Sequence, residues 1–200
     1  MHNAENIYKI LLDGQWSLRD FTEFTRLYYQ NYSFIYCLDT EANFEANDHL
    51  RDVLSEYQLR SGATYVSIYS IFQHQIPKED RPIVKSIAYA SPGWLELLLN
   101  SDVAVEVAKT VSIYLGAHTI VMTAYKRLSE IYGQLRQKRK ARRNASIKLD
   151  KDQIVEIQRL NRELAKGLGF KSLKALDEHT NDPEESSKLL MAHFRVLRGF

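Results

Sequence analysis

The first third of the chain combines a short apolar run with amphipathic stretches, which predicts both a strand and helices. Residues 6–12, NIYKILL, are apolar and β-prone, and an Asp-Gly turn follows them. Over residues 18–38 apolar side chains recur at helical spacing, and Ser17 with Asp20 three residues later forms a capping-box pattern. A more polar helix is predicted over residues 47–58, where one face is apolar.

Two further segments carry β-type patterns. Residues 63–72, ATYVSIYSIF, are dense in β-branched and aromatic residues on both faces, which predicts an interior strand. Residues 83–90 predict another strand. The Ser-Pro-Gly sequence at 91–93 favours a turn that returns residues 94–99 as a hairpin strand, but the same Ser-Pro pair is also typical of a helix start.

The second half of the chain has a helical pattern throughout. Apolar positions spaced alternately by four and three form a heptad seam of about four repeats, and the same spacing recurs from Ile154 to Leu168. Asp150 and Asp182 are predicted helix caps. The seam consists of Val107, Val111, Tyr114, His118, Val121, Tyr125, Leu128, Tyr132 and Leu135. The predicted helices cover about residues 102–143, 151–167, 172–179 and 184–198.

The sequence therefore predicts an α+β fold in two parts. Residues 1–100 form a small mixed domain with a short β-sheet and helices. Residues 101–200 form an all-helical region built on a long helix and an antiparallel helical hairpin, because a short connection joins two long helical segments.

Charge adds one asymmetry to this picture. The net charge of the 200 residues is only +2, but residues 126–149 contain nine basic residues and one acidic residue. Residues 1–62 contain five basic and ten acidic residues. The basic excess is concentrated in the segment QLRQKRKARRN, where the apolar seam ends. This pattern predicts a solvated helix end or a contact with an acidic protein partner, with a nucleic-acid site and lipid headgroups as the alternatives. The residues of that basic site are Arg136, Lys138, Arg139, Lys140, Arg142 and Arg143.

Candidate catalytic chemistry is sparse in the sequence. No phosphate-binding loop, dinucleotide-binding motif, zinc-protease motif or nucleophile elbow is present, and we predict no catalytic residue, metal site or cofactor. The single cysteine, Cys37, lies among aromatic residues of a predicted helix, which favours a buried and inert thiol. His118 lies on the seam, which favours a core or interface histidine over a pH switch.

Two observations bear on where the chain acts. Residues 103–125 are apolar enough to raise a membrane-spanning alternative, but their longest run without a formal charge is shorter than the roughly 20 residues that a bilayer requires. The first residues lack the features of a secretory signal, so a cytoplasmic location is expected.

These patterns favour a non-enzymatic interaction or assembly module. The long helix would associate with a second copy or with a protein partner. The predicted contact residues are Val111, Tyr114, His118, Val121, Tyr125, Leu128 and Tyr132. Nucleic-acid binding through the basic segment is the first alternative, and a membrane-acting effector that uses residues 103–125 is the second.

Overall fold

We describe the chain from a computed structural model, in residues 7–38, 65–90, 92–142, 148–170 and 182–200. These residues form three strands and five α-helices. The elements are β1 (Ile7–Leu12), α1 (Leu18–Leu38), α2 (Tyr65–Gln75), β2 (Ile83–Ala88), β3 (Gly93–Leu98), α3 (Ser101–Ala141), α4 (Lys151–Gly167) and α5 (Pro183–Leu197), with a 3₁₀ turn at Lys78–Asp80. The predicted α+β fold class is confirmed. The helices predicted over residues 47–58 and 172–179 lie outside the described residues.

The three strands form one antiparallel sheet in the order β1-β3-β2. The predicted hairpin is confirmed, because β2 and β3 pair directly and no helix starts at residue 92. Gly93 allows the tight return, since a Cβ atom there would lie 2.6 Å from the Ala88 carbonyl oxygen. Leu95 and Leu97 of β3 are buried under the sheet. The two outer strands, β1 and β2, are the edges.

Helix α1 lies at the centre of the molecule. Its start follows the sequence pattern, because the Ser17 hydroxyl and the Asp20 carboxylate bond to each other and to the opposite backbone amides. Every side chain from Asn31 to Leu38 is buried, so the second half of the helix is covered on all sides. The Tyr32 hydroxyl donates to the Asp80 carbonyl oxygen and accepts from the Asn100 amide, which ties α1 to the start of α3.

The interior strand predicted over residues 63–72 is wrong, because the segment contains most of helix α2. Ile68, Phe72 and Ile76 are spaced by four residues and are all buried, as on one side of a helix. The Phe72 ring meets the Phe34 ring edge-on at 4.9 Å. Packing against α1 therefore overrides the β propensity of the aromatic and β-branched residues.

The second half of the chain is the predicted antiparallel hairpin of α3 and α4, with α5 packed against both. The direction of α4 follows from two contacts: Glu156 near its start faces Arg127 at 3.9 Å, and Gly167 at its end faces Val121. Asp150 caps α4 in a full capping box, and Asp182 caps α5, as predicted. The buried side chains of both halves form one continuous core, and the division into domains at residue 100 stays a prediction.

Candidate interaction surface on the long helix

Helix α3 has 41 residues and is about 60 Å long, so it presents the largest continuous surface that the sequence singled out. Its buried side runs from Val103 to Leu135 at alternating spacings of three and four. The residues on this side are Val103, Val107, Thr110, Tyr114, Ala117, Val121, Ala124, Leu128, Ile131 and Leu135, of which Ala117 is partly buried. The side chains pack against α1, α4 and α5 of the same chain.

This buried side differs from the predicted seam at every second position. Thr110, Ala117, Ala124 and Ile131 take the inner places, one residue before the predicted ones. Two of these inner residues face the end of α4 and the turn after it: a Cβ atom on Gly167 would lie 3.5 Å from the Ala117 methyl group, and one on Gly169 would lie 3.5 Å from the Thr110 hydroxyl oxygen. Val111 and Tyr125, the larger neighbours, are partly buried beside this side.

The seven predicted contact residues accordingly separate into three groups. Buried in the core are Tyr114, Val121 and Leu128, while Val111, Tyr125 and Tyr132 are partly buried against it. His118 is exposed, and its ring lies 5.5 Å from the Tyr114 ring. Of the core or interface positions predicted for His118, the structure contradicts only the core, and the interface stays a prediction. Six of the seven side chains are therefore occupied by the chain's own helices, and their contact with another molecule stays a prediction.

The aromatic flank of the seam is an internal contact between α3 and α5. The Phe194 ring lies 4.3 Å from the Tyr125 ring and 6.0 Å from the Tyr114 ring. The Tyr125 hydroxyl accepts a hydrogen bond of 2.9 Å from the Arg195 guanidinium. Tyr125 thus packs its ring on α5 and bonds its hydroxyl to α5, so it joins two helices of one chain.

The opposite side of α3 is exposed and uncharged over its middle third. The sixteen residues from Thr110 to Tyr125 include no Asp, Glu, Lys or Arg. We name six exposed residues of this segment the outer strip: Ser112, Leu115, Gly116, Thr119, Ile120 and Thr123. The strip is about 17 Å long. Leu115 is 63% exposed and Ile120 is 60% exposed, so the strip places large apolar side chains in water.

The hydroxyl groups of the outer strip make it less polar than its composition suggests. Ser112 donates to the Ala108 carbonyl oxygen, and Thr123 donates to the Thr119 carbonyl oxygen, each at 2.9 Å. Because these donors are satisfied within the helix, they do not require water or a partner as acceptor.

Gly116 lies at the centre of the outer strip. Glycine inside an exposed helix costs about 1 kcal/mol relative to alanine, because it loses more backbone freedom on folding. No atom of the described residues lies within 4 Å of the place where its Cβ would be, so packing against the described part of the chain does not require a glycine. A glycine in such a position allows a second backbone to approach the helix closely.

The basic end of α3 projects beyond the core, as the sequence indicated. Leu135 is the last buried residue of the helix. After it, Arg136, Lys138, Lys140 and Arg142 are exposed, and none of these four forms an ion pair with any residue that the structure describes. Arg143 lies outside the described residues.

Arg139 differs from its basic neighbours. Its guanidinium meets the Glu184 carboxylate at 3.4 Å, and Lys188 meets the same carboxylate at 3.3 Å. The Arg139 side chain is only 25% exposed, so this cation is committed to the first turn of α5. Arg139 thus bonds to Glu184 of its own chain, whereas the four cations around it form no ion pair with a described residue.

The thiol of Cys37 is buried in α1. Burial raises the pKa of the Cys37 thiol to about 12, and its Sγ atom lies 3.6 Å from the Phe72 carbonyl oxygen. The prediction of a buried thiol is confirmed. Among the described residues no three His, Cys, Asp or Glu side chains are placed to hold a metal ion together.

The most unusual polar group in the core, His193 of α5, was not singled out from the sequence. Its Nε2 atom donates to the Asn31 Oδ1 atom of α1 at 2.8 Å, and its ring stacks on Phe34 with centroids 4.5 Å apart. Burial lowers the pKa of His193 to about 3. The sequence offers no signal for this pair, because the two residues are 162 positions apart.

Within the described residues, the structure contains no helix that is both long enough and apolar enough to cross a membrane, and this applies to α3, in which residues 103–125 lie. No protein-family model matches the chain, and no curated protein or solved structure is similar enough to count as a match.

Proposed function

We propose that the chain is a non-enzymatic assembly module that forms a homodimer through the outer strip of α3. The observation that carries this proposal is Gly116, an unneeded glycine at the centre of an exposed and uncharged helix face. The long helix remains the element that associates, as the sequence suggested. The contact moves from the seam, which the chain's own helices occupy, to the side that they leave open.

A two-fold axis between Ala117 and His118 makes the outer strip complementary to itself. Two antiparallel copies of α3 then bring Gly116 opposite Thr119 of the second copy and Leu115 opposite Ile120 of the second copy. Small residues meet at the centre, where the backbones are nearest, and large apolar residues pack beside them. Such an interface is isologous and closes as a dimer.

The size of the strip sets the expected affinity. A stable interface usually buries about 800 Å² of each partner, and one pair of crossing helices buries less than that. We therefore expect a dimer that dissociates on dilution. We also propose a cytoplasmic location, because an unpaired thiol such as Cys37 stays reduced there.

Sedimentation of the full chain over a dilution series tests the dimer, with two glycine variants as a matched pair. Gly116→Leu fills the centre of the strip and should make the chain monomeric. Gly133→Leu is the control, because Gly133 is also exposed on α3 with open space around it but lies outside the strip. A wild-type chain that stays monomeric at every concentration contradicts the proposal, and so does a Gly116→Leu variant that dimerises as well as the control.

The basic end favours a second candidate function, binding of nucleic acid. Arg136, Lys138, Lys140 and Arg142 surround the helix end and are exposed, so they can contact phosphates without rearrangement. If all four replace counterions, the logarithm of affinity for duplex DNA falls with the logarithm of salt at a slope of about −4. The measurement uses a random duplex at two salt concentrations. Absence of a complex at the lower salt removes this candidate.

A further inference from the structure

Strand β2 is an open edge of the sheet. It pairs with β3 on one side and with no other strand that the structure describes. Its apolar side chains are unusually exposed: Ile83 is 46%, Val84 is 50% and Ile87 is 53% exposed. Soluble proteins usually cover or charge such edges, because the free amide and carbonyl groups attract further strands.

A cavity of about 410 Å³ opens beside the end of this strand. It lies between the hairpin and the start of α1, and Leu12, Trp16, Leu18, Phe21, Ile87 and Tyr89 line most of it. The Ser17 hydroxyl, also in the lining, is already bonded to Asp20 at 2.6 Å. The cavity has the volume of a small-ligand site and accepts an apolar group.

The edge and the cavity form one continuous site. Residues 87–90 contribute both the end of the edge strand and one wall of the cavity, and Leu18 of α1, 82% exposed, forms part of the opposite wall. A bulge between Val84 and Ser86 interrupts the β2–β3 register, so the regular part of the edge is Ser86 to Ala88, next to the cavity. A segment paired with Ser86 to Ala88 would lie next to Ile87 and Ala88, which line the cavity.

We propose that β2 is the docking edge for an extended peptide segment of a partner protein, which adds to the sheet as a fourth strand and places one large apolar side chain in the cavity. Backbone hydrogen bonds to the edge would supply affinity, and the cavity would supply selectivity. Lys85, exposed in the bulge with no ion pair to any described residue, selects a segment that carries an acidic residue.

Strand β3 suggests the probe, because its sequence GWLELL already pairs with the inner side of β2. It has large apolar residues and one glutamate, the chemistry that the site requires. A fluorescein-labelled peptide of this sequence is titrated with the full chain, and binding is followed by fluorescence anisotropy. We expect saturable binding that weakens when the glutamate of the peptide is replaced by lysine.

Two control sets separate strand addition from simpler binding. A peptide with proline at the positions of Leu95 and Leu98 lacks one backbone donor on each side of the strand, so it cannot pair regularly with the edge in either orientation and should not bind. It keeps the tryptophan, the glutamate and one leucine. In the protein, Ile87→Lys places a charge at the cavity mouth and should weaken binding roughly tenfold or more. Leu11→Lys, on the other edge strand and 69% exposed, should leave binding unchanged. Circular dichroism verifies that both variants fold.

Four results would overturn the proposal. The first is absence of binding by the β3 peptide. The second is equal binding by the proline peptide, which would mean that the cavity alone takes an apolar group. The third is that Ile87→Lys leaves peptide binding unchanged. The fourth is that a second copy of the chain occupies the edge, which would be detected as a dimer that the Ile87→Lys substitution dissociates. Because none of the probed residues belongs to the outer strip of α3, failure here leaves the proposed homodimer unaffected.

Discussion

Acidification should destabilise the fold through the buried imidazole of His193. The ring has no exposed surface, stacks on Phe34 and meets the Phe170 ring edge-on at 5.3 Å. Its Nε2 hydrogen is bound by Asn31, and its Nδ1 atom has no hydrogen-bond partner among the described residues. A proton on Nδ1 would therefore place a charge in an apolar environment without a counter-ion.

The direction and size of the effect follow from the two protonation equilibria. The pKa of His193 is lowered to about 3 in the fold, whereas an imidazole in the unfolded chain has a pKa of about 6.5. Between these values the unfolded chain binds a proton that the folded chain does not. The free energy of unfolding therefore falls by about 1.4 kcal/mol per pH unit as the pH drops below 6.5. At pH 4.5 the loss is about 3 kcal/mol relative to pH 7.

Urea denaturation at pH 7 and pH 4.5, followed by circular dichroism, measures this loss. His193→Gln cannot titrate, so its stability should fall on acidification by about 3 kcal/mol less than that of the wild type. Phe194→Leu is the control: it weakens the same helix at both pH values and keeps the full pH dependence. If His193→Gln loses as much stability as the wild type on acidification, proton uptake by this residue on unfolding is refuted.

Three further predictions concern local packing, capping and thiol reactivity. Gly167→Ala should lower the free energy of unfolding by about 1–3 kcal/mol in urea titration, because the added Cβ overlaps the Val121 side chain. Asp150→Ala should cost about 1 kcal/mol in the same assay, since it removes the capping box of α4. Cys37 should react with a thiol reagent at pH 8 only after urea unfolds the chain, because the thiol is buried and its pKa is raised to about 12.

The two substitutions that lower stability, Gly167→Ala and Asp150→Ala, each have a control variant. Gly133→Ala has open space around the added methyl group and should raise stability by up to about 1 kcal/mol, opposite in sign to Gly167→Ala. Lys151→Ala, next to the cap but not part of it, should change stability little. Equal losses within either pair would contradict the contacts on which the predictions rest, and rapid labelling of Cys37 in the folded chain would contradict its burial.

Local sequence signals predicted most of the elements. Ser17, Asp150 and Asp182 mark helix starts because their side chains satisfy backbone amides within three residues, so no distant partner is needed. The hairpin follows for the same reason, from the turn residues between two β-prone runs. Helix α2 is the exception. Its aromatic and β-branched residues favour a strand, but packing against α1 and α5 stabilises a helix instead.

The interaction surface was only partly predictable. The sequence correctly indicated where the apolar side of α3 ends and where its basic end begins, since both depend on residue type alone. Gly116 and the uncharged run around it can be read directly from the sequence. Only the structure shows that no described residue packs against Gly116 in a way that requires a glycine. The exposed edge of β2 depends on strand order, which its own sequence does not encode.

By itself, the sequence determined the length of α3, the periodicity of its apolar positions and the charge of its end, because these are properties of consecutive residues. Only the tertiary structure decided which of two adjacent heptad registers faces inward. Thr110 and Ala124 are buried and Val111 and Tyr125 lie on the flank, because α1, α4 and α5 pack on the side of α3 that Thr110 and Ala124 share with Tyr114 and Val121. The same packing paired His193 with Asn31 and committed Arg139 to Glu184, contacts between residues too far apart for any local pattern to reveal.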